Sequence, residues 1–168
     1  MVLKNPRVEK VVGLLNSNLP EDLRVIEAKY VPLSSPSLMS IIKVATYEVK
    51  ARIYSLLTDG LVEGRVADFF REEKIEVKRR DKRGVFDLRE TMVDLAVEAI
   101  GTELLLRIVL RSGEKGSIRP EEIAGALFGL PPALSFEILS VHQTGLYVES
   151  DGRLMDPIDV ALVGREEI

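Results

Sequence analysis

Six cations fall close together in "KIEVKRRDKRG": Lys74, Lys78, Arg79, Arg80, Lys82 and Arg83, set against Glu76 and Asp81. Ammonium and guanidinium groups at that density are donors for phosphate oxygens. On a hairpin alternate residues share a face, so Lys74, Lys78 and Arg80 align as a nucleic-acid-contacting strip. No aromatic side chain is interleaved for bases to stack on, and the same cluster fits a solvated turn whose lysines guard a sheet edge. A second candidate is "GEKGSIRPEE", where Gly113 and Gly116 precede a predicted helix. Gly116, Ser117 and Arg119 there would meet an anion at the helix N-terminus. The stretch lacks the fixed Gly-Lys-Ser/Thr spacing of a nucleotide loop and reads equally as the loop leading into the helix. His142 in "SVHQTGLYV" has no nucleophile or orienting carboxylate at a useful local spacing, which favours a structural or surface histidine. The neighbouring Thr144-Gly145 reads as a bend where only glycine tolerates the backbone.

Composition narrows the chemistry further. The chain has 168 residues, no Cys and one His, so disulfides, thiolate chemistry, Cys-ligated zinc or iron–sulfur clusters and multi-His metal sites are excluded. No catalytic residue, metal site or cofactor is indicated. A hydrophobic share of 46% with 30% charged residues is that of a folded chain. With no Trp, five Phe and four Tyr, the core must be built from Leu, Ile and Val. The net charge of -4 argues against bulk electrostatic attraction to nucleic acid and leaves only a local basic patch. No apolar run approaches a membrane span and "MVLKNPRVEK" lacks a secretory pattern, so the expected compartment is the cytoplasm, with no membrane partner.

The elements that must position these residues follow from periodicity. "NPRVEKVVGLLNSNLP" places Val8, Val11, Val12, Leu14 and Leu15 at helical spacing, with Asn5 as N-cap, Pro6 at the first helical position and Pro20 ending the helix. "DLRVIEAKYVPL" alternates as a strand, and a strand over residues 46–51 follows a Ser/Pro connector. "LVEGRVADFFREE" is a helix with Val62, Val66, Phe69 and Phe70 on one stripe. Ile75 and Val77, then Val85, Phe86 and Leu88, flank the basic turn as a hairpin. Val93, Leu95, Val97 and Ala99, followed by Gly101-Thr102 and then Leu104, Leu106, Ile108 and Leu110, spell a long antiparallel pair. "RPEEIAGALFGL" is a helix opened by Pro120, with Ile123, Leu127 and Phe128 inward and Pro131-Pro132 behind it. "SFEILSVHQTGLYVES" is a strand followed by an Asp151-Gly152 turn and a short return. From residue 45 the order contains β-α-β-β-α-β, for which an α+β ferredoxin-like sandwich with an antiparallel sheet and an inserted β-hairpin is the simplest architecture. A helix-strand arm precedes it.

"LPEDLRVIEAKYVPLSSPSLMSIIKVATYEV", "GSIRPEEIAGAL" and "TGLYV" resemble the radical-SAM-linked protein family, a bacterial domain of unknown function found beside or fused to radical S-adenosylmethionine proteins. The resemblance implies an earlier ferredoxin-like half with a Gly-Phe-Asn-Pro-His-like motif, which residues 1–33 do not match. Residues 1–33 are then a helix-strand remnant of that half, 34–44 the connector and 45–168 the ferredoxin-like domain. The absence of Cys means that the chain itself cannot hold a radical-SAM cluster. The expected function is therefore an accessory, non-catalytic domain working with a radical SAM protein or the missing N-terminal half and presenting RNA or protein. The alternative is an independent RNA-binding or RNA-processing ferredoxin-like module. The apolar stripe of the arm also predicts a homodimer through residues 6–33, with fold-back onto the second half as the competing arrangement.

Overall fold

The computed structural model describes residues 7–54, 60–78, 85–112, 118–129 and 134–163. In chain order its elements are α1 (Val8–Asn16), α2 (Leu38–Ile41), β1 (Val44–Ile53), α3 (Leu61–Arg71), β2 (Glu76–Lys78) and β3 (Val85–Asp87). After a 3-10 turn (Leu88–Glu90) come β4 (Met92–Ile100), β5 (Glu103–Arg111), α4 (Pro120–Gly129), β6 (Phe136–Ser150), β7 (Arg153–Met155) and α5 (Pro157–Val163). Five strands form one antiparallel sheet in the order β4-β5-β1-β6-β7, and β2 and β3 form a separate ribbon. The fold is therefore mixed α and β around an antiparallel sheet, with the expected hairpin inserted. No helix among the described residues is long and apolar enough to cross a membrane.

Alternation in "ELLLRIVL" sets the core. Leu104, Leu106, Ile108 and Leu110 of β5 are all buried, and the register puts Val97 and Val49 on either side of Leu106. β1 buries Val49, Ala51 and Ile53 on the same face, and α3 and α4 supply Val62, Phe69, Ile123, Ala124, Leu127 and Phe128 against them. Each large side chain so buried stabilises the fold by roughly 1.5–3 kcal/mol. The rings of Phe128 and Phe136 meet at 4.9 Å between centroids, joining α4 to the start of β6. Gly101 turns β4 into β5 at φ +64°, and Asp151 and Gly152 turn β6 into β7 with φ 50° and 72°, the positive pair that an Asp-Gly hairpin turn requires.

Several local readings change in three dimensions. Val93 is expected inward, but the β4–β5 register shifts between Met92 and Asp94, and this bulge leaves Val93 49% exposed while Leu95 stays buried. α1 begins at Val8 with Arg7 as its cap, whereas Asn5 and Pro6 lie outside the described residues. It ends four residues before Pro20, because the Ser17 hydroxyl and the Asn18 amide both donate to the Leu14 carbonyl and take over the last turn. Residues 23–33 form no strand: no ladder partner reaches them. Phe70 leaves the core stripe of α3 because it directly follows Phe69, about 100° round the helix, and it lies half exposed, edge-on to Phe69 at 6.0 Å. Gly145 is not among the positive-φ glycines. The β1–β6 register shifts here, with Thr144 left over between Gly145 and Gln143, and a Cβ at Gly145 would lie 2.5 Å from the Tyr147 hydroxyl oxygen, so a larger residue would have to displace that ring. The helical turn α2 and helix α5 were not anticipated.

Replacing Leu106 with Ala is expected to destabilise the protein by about 2–5 kcal/mol in urea or thermal unfolding. Val93→Ala, on the solvent side of the bulge, should stay within about 0.5 kcal/mol. Equal losses at the two positions would contradict the bulged register.

Candidate functional site

The basic ribbon is positioned at its base. Asp87 accepts hydrogen bonds at Oδ1 from the backbone N–H groups of Ile75 (3.2 Å) and Arg89 (3.0 Å), and the Leu88 N–H donates to the Ile75 carbonyl at 2.9 Å. Ile75 and Leu88 are buried, so the two ends of the hairpin are sealed into the core. Arg89 then ties this base to α3. Its guanidinium donates to the Glu72 carbonyl from Nε at 3.0 Å and from a terminal nitrogen at 2.6 Å, donates to the Phe70 carbonyl, and lies 5.8 Å from the centre of the Phe70 ring. A cation on the free carbonyls at the end of α3 meets the negative end of the helix dipole. Of the six candidate cations, Lys74 is ion-paired with Glu76 at 2.6 Å, and the hydrogen bond to that carboxylate holds its pKa above the ordinary value. Arg79, Arg80, Lys82, Arg83 and the side chain of Lys78 lie outside the described residues.

At the start of α4 the candidate anion residues Gly116 and Ser117 also lie outside the described residues. Arg119 is exposed, and its backbone N–H donates to Glu122 Oε2 at 2.8 Å. This is one half of a capping box: a carboxylate from within the helix already serves the N–H group that a bound anion would approach. His142 stands exposed on β6, opposite Glu48 of β1.

The face of the sheet opposite the helices carries a lattice that sequence reasoning missed. Arg52 pairs with Glu103 at 2.8 Å. Arg107 reaches both Glu48 (3.4 Å) and Glu98 (3.1 Å), spanning β1, β5 and β4. Arg111 pairs with Glu149 at 3.1 Å, the Tyr54 hydroxyl donates to Glu137 at 2.5 Å, and the hydroxyls of Thr46 and Thr144 meet at 2.8 Å. The available signal was the polar set that alternates with the apolar one along β1 and β5. Its pairing needs the strand order, which the sequence does not spell out. Exposed pairs of this kind contribute only about 0–1 kcal/mol each, but they give each of these arginines a carboxylate of its own sheet as partner.

The N-terminal arm is the opposite case. Among the described residues, ten of the seventeen exposed large hydrophobics lie between Val11 and Met39, and α1 has no fully buried residue. Where the arm runs into the connector, Val31, Pro32, Pro36, Leu38 and Ile41 join Val160 of α5 around an apolar cavity of about 290 Å³, with the Ser35 side chain on its wall. Lys29, paired with Glu27 (3.1 Å) and Asp159 (3.3 Å), ties the arm to α5.

The titratable groups that depart from their ordinary values move toward holding their protons. Hydrogen bonds to Glu27, Glu103 and Glu76 raise Lys29, Arg52 and Lys74 respectively. Tyr54 is raised by its hydrogen bond to Glu137, and Tyr47 by burial and then by the charge of Glu121. None of these shifts prepares a base or a nucleophile near neutral pH. Among the described residues no three His, Cys, Asp or Glu side chains gather as metal ligands. In comparison with known proteins, residues 1–120 match the family model described as "Uncharacterized protein conserved in bacteria (DUF2344)". No curated protein and no solved structure matches the chain.

The Tyr54 shift has a defined sign. Because its folded pKa is raised above the ordinary 10.0, the neutral phenol is favoured in the folded state. That contribution is present below pH 10 and lost as pH rises through the folded value. Phenolate absorbance followed upward from pH 9 should contain a late component from Tyr47 and Tyr54, of which Tyr54→Phe removes one part and Glu137→Gln returns that part toward 10.0. An unchanged titration in both variants would contradict the Tyr54–Glu137 hydrogen bond.

Proposed function

The chain belongs to the family of uncharacterized proteins conserved in bacteria whose model it matches, and from that premise we propose that it is a non-catalytic docking domain of the cytoplasm, an accessory to a radical S-adenosylmethionine protein. The observation that carries this reading is the division of its surface. The outer sheet face pairs its arginines with its own carboxylates, whereas the largest apolar exposure is concentrated on one arm. Contiguous apolar surface of that kind marks a protein-binding site rather than a reaction centre. The resemblance of "GSIRPEEIAGAL" and "TGLYV" to the radical-SAM-linked proteins supplies the class of partner, and the absence of Cys leaves the cluster chemistry to that partner.

The ferredoxin-like architecture belongs to this reading too. Leaving aside the short ribbon and β7, the four long strands run in space as second, third, first and fourth in chain order. α3 follows the first strand and α4 the third, an order that supports reading the sheet as a β-α-β-β-α-β sandwich. The RNA part of this reading draws on the cations of "KIEVKRRDKRG" and on the base of the ribbon, which Asp87 and Arg89 tie to Ile75 and to the end of α3.

The test uses the purified full chain with the radical SAM protein encoded in the same genome, under anaerobic conditions. Co-elution as a defined complex, insensitive to added RNA and to Lys78→Glu combined with Arg80→Glu, is the expected result. Structured RNA binding in the absence of that protein, steeply weakened by salt and abolished by the double substitution, would replace this reading with that of an independent RNA-binding module.

A further inference from the structure

The segment between α1 and the connector has an unused backbone. From Ile26 to Val31 no N–H or carbonyl group makes a hydrogen bond to another described residue, and Ile26 is 98% exposed. A run rich in Val, Ile and Tyr left in that condition is strand-forming sequence without a neighbour. Its order also has a twofold character. About Ala28 the sequence "LRVIEAKYVPL" sets Leu23 against Leu33, Val25 against Val31, Ile26 against Tyr30 and Glu27 against Lys29. A twofold interface requires that residue i meet j while j meets i, and this segment satisfies that condition with itself.

One edge of the segment is already engaged within the chain. Asn16 of α1 accepts from the Val25 N–H at 2.7 Å and donates to the Val25 carbonyl at 3.0 Å, the two-bond ring that an adjacent strand would otherwise form. In β conformation the polar groups of Val25 point to that edge, and those of Ile26, Ala28 and Tyr30 point to the other.

We propose that residues 23–33 pair antiparallel with the same residues of a second copy of this chain, about a twofold axis at Ala28. Ala28 then forms a hydrogen-bonded pair with Ala28 of the second copy, and Ile26 forms one with the second copy's Tyr30. The intervening close pairs set Glu27 against Lys29 and Val25 against Val31, a charge-complementary and an apolar contact that each occur twice. Pro32, which has no N–H, falls opposite Arg24 and ends the ladder. A two-stranded ribbon alone is marginal in water, and the exposed Leu14 and Leu15 of α1, held beside Val25 by Asn16, provide apolar cover. This surface is distinct from the basic ribbon but lies on the arm that the proposed partner would also use, so self-pairing and partner binding compete for it.

Sedimentation of the full chain is expected to show a concentration-dependent dimer. Glu27→Lys or Lys29→Glu alone places like charges across the axis and should weaken association about tenfold, the effect of roughly 1.4 kcal/mol. Mixing the two variants restores opposite charges at every close pair and should give a heterodimer. Because the chain has no Cys, Ala28→Cys is a single thiol, and mild oxidation should cross-link it to itself faster than Glu63→Cys on α3. A monomer across the micromolar range would overturn the proposal. So would a mixture that fails to associate, or equal cross-linking of the two Cys variants.

Discussion

β1 is bonded along both edges, to β5 over Val44–Arg52 and to β6 over Val44–Ile53, and most of the molecule is hung on that double ladder. A slip of one residue would turn Val49, Ala51 and Ile53 out of the core and bring Glu48, Lys50 and Arg52 into it. The same register places Arg52 opposite Glu103 and Glu48 opposite Arg107, so the ion pairs of the outer face follow from the burial of the inner one. Small residues complete the arrangement. Ala51 on β1 and Ala124 on α4 are both fully buried, where the helix comes down on the central strand.

Charge is handled differently on the two faces of the molecule's chemistry. Arginines on the sheet are spent on neighbouring carboxylates, which lowers their value to a phosphate ligand. Arg89 is spent on the carbonyls that end α3. Its role is mechanical, since it ties the segment after the β2–β3 ribbon to the end of α3. Lys74, nearest the base of that ribbon, is likewise committed to Glu76. Any electrostatic function of the ribbon therefore rests with the cations nearer its turn.

The arm follows a third pattern. Its helix is amphipathic in sequence yet has no fully buried residue, and its following segment carries apolar side chains without a sheet. The end of the arm does meet α5, through the Lys29–Asp159 pair and the apolar cavity beside the connector. These fold-back contacts lie in the part nearest the connector. Val11, Leu14, Leu15, Leu23 and Ile26 stay exposed, a costly arrangement unless another surface meets them.

Local periodicity was sufficient for the β4–β5 hairpin, for α4 with Ile123, Leu127 and Phe128 inward, and for the Asp151-Gly152 turn, because each is encoded by neighbours within a few residues. The zero Cys count likewise settled what chemistry the chain could not perform alone. Strand order, the bulge that exposes Val93, the ring of Tyr147 over Gly145 and the anchoring of the ribbon by Arg89 depend on residues distant in the chain, and no pattern along one strand encodes which strand lies beside it. The segment 23–33 shows the limit most directly. Its alternation gives it the propensity of a strand, but a strand is a hydrogen-bonded relation between two backbones, and among the described residues the tertiary structure brings it no second backbone.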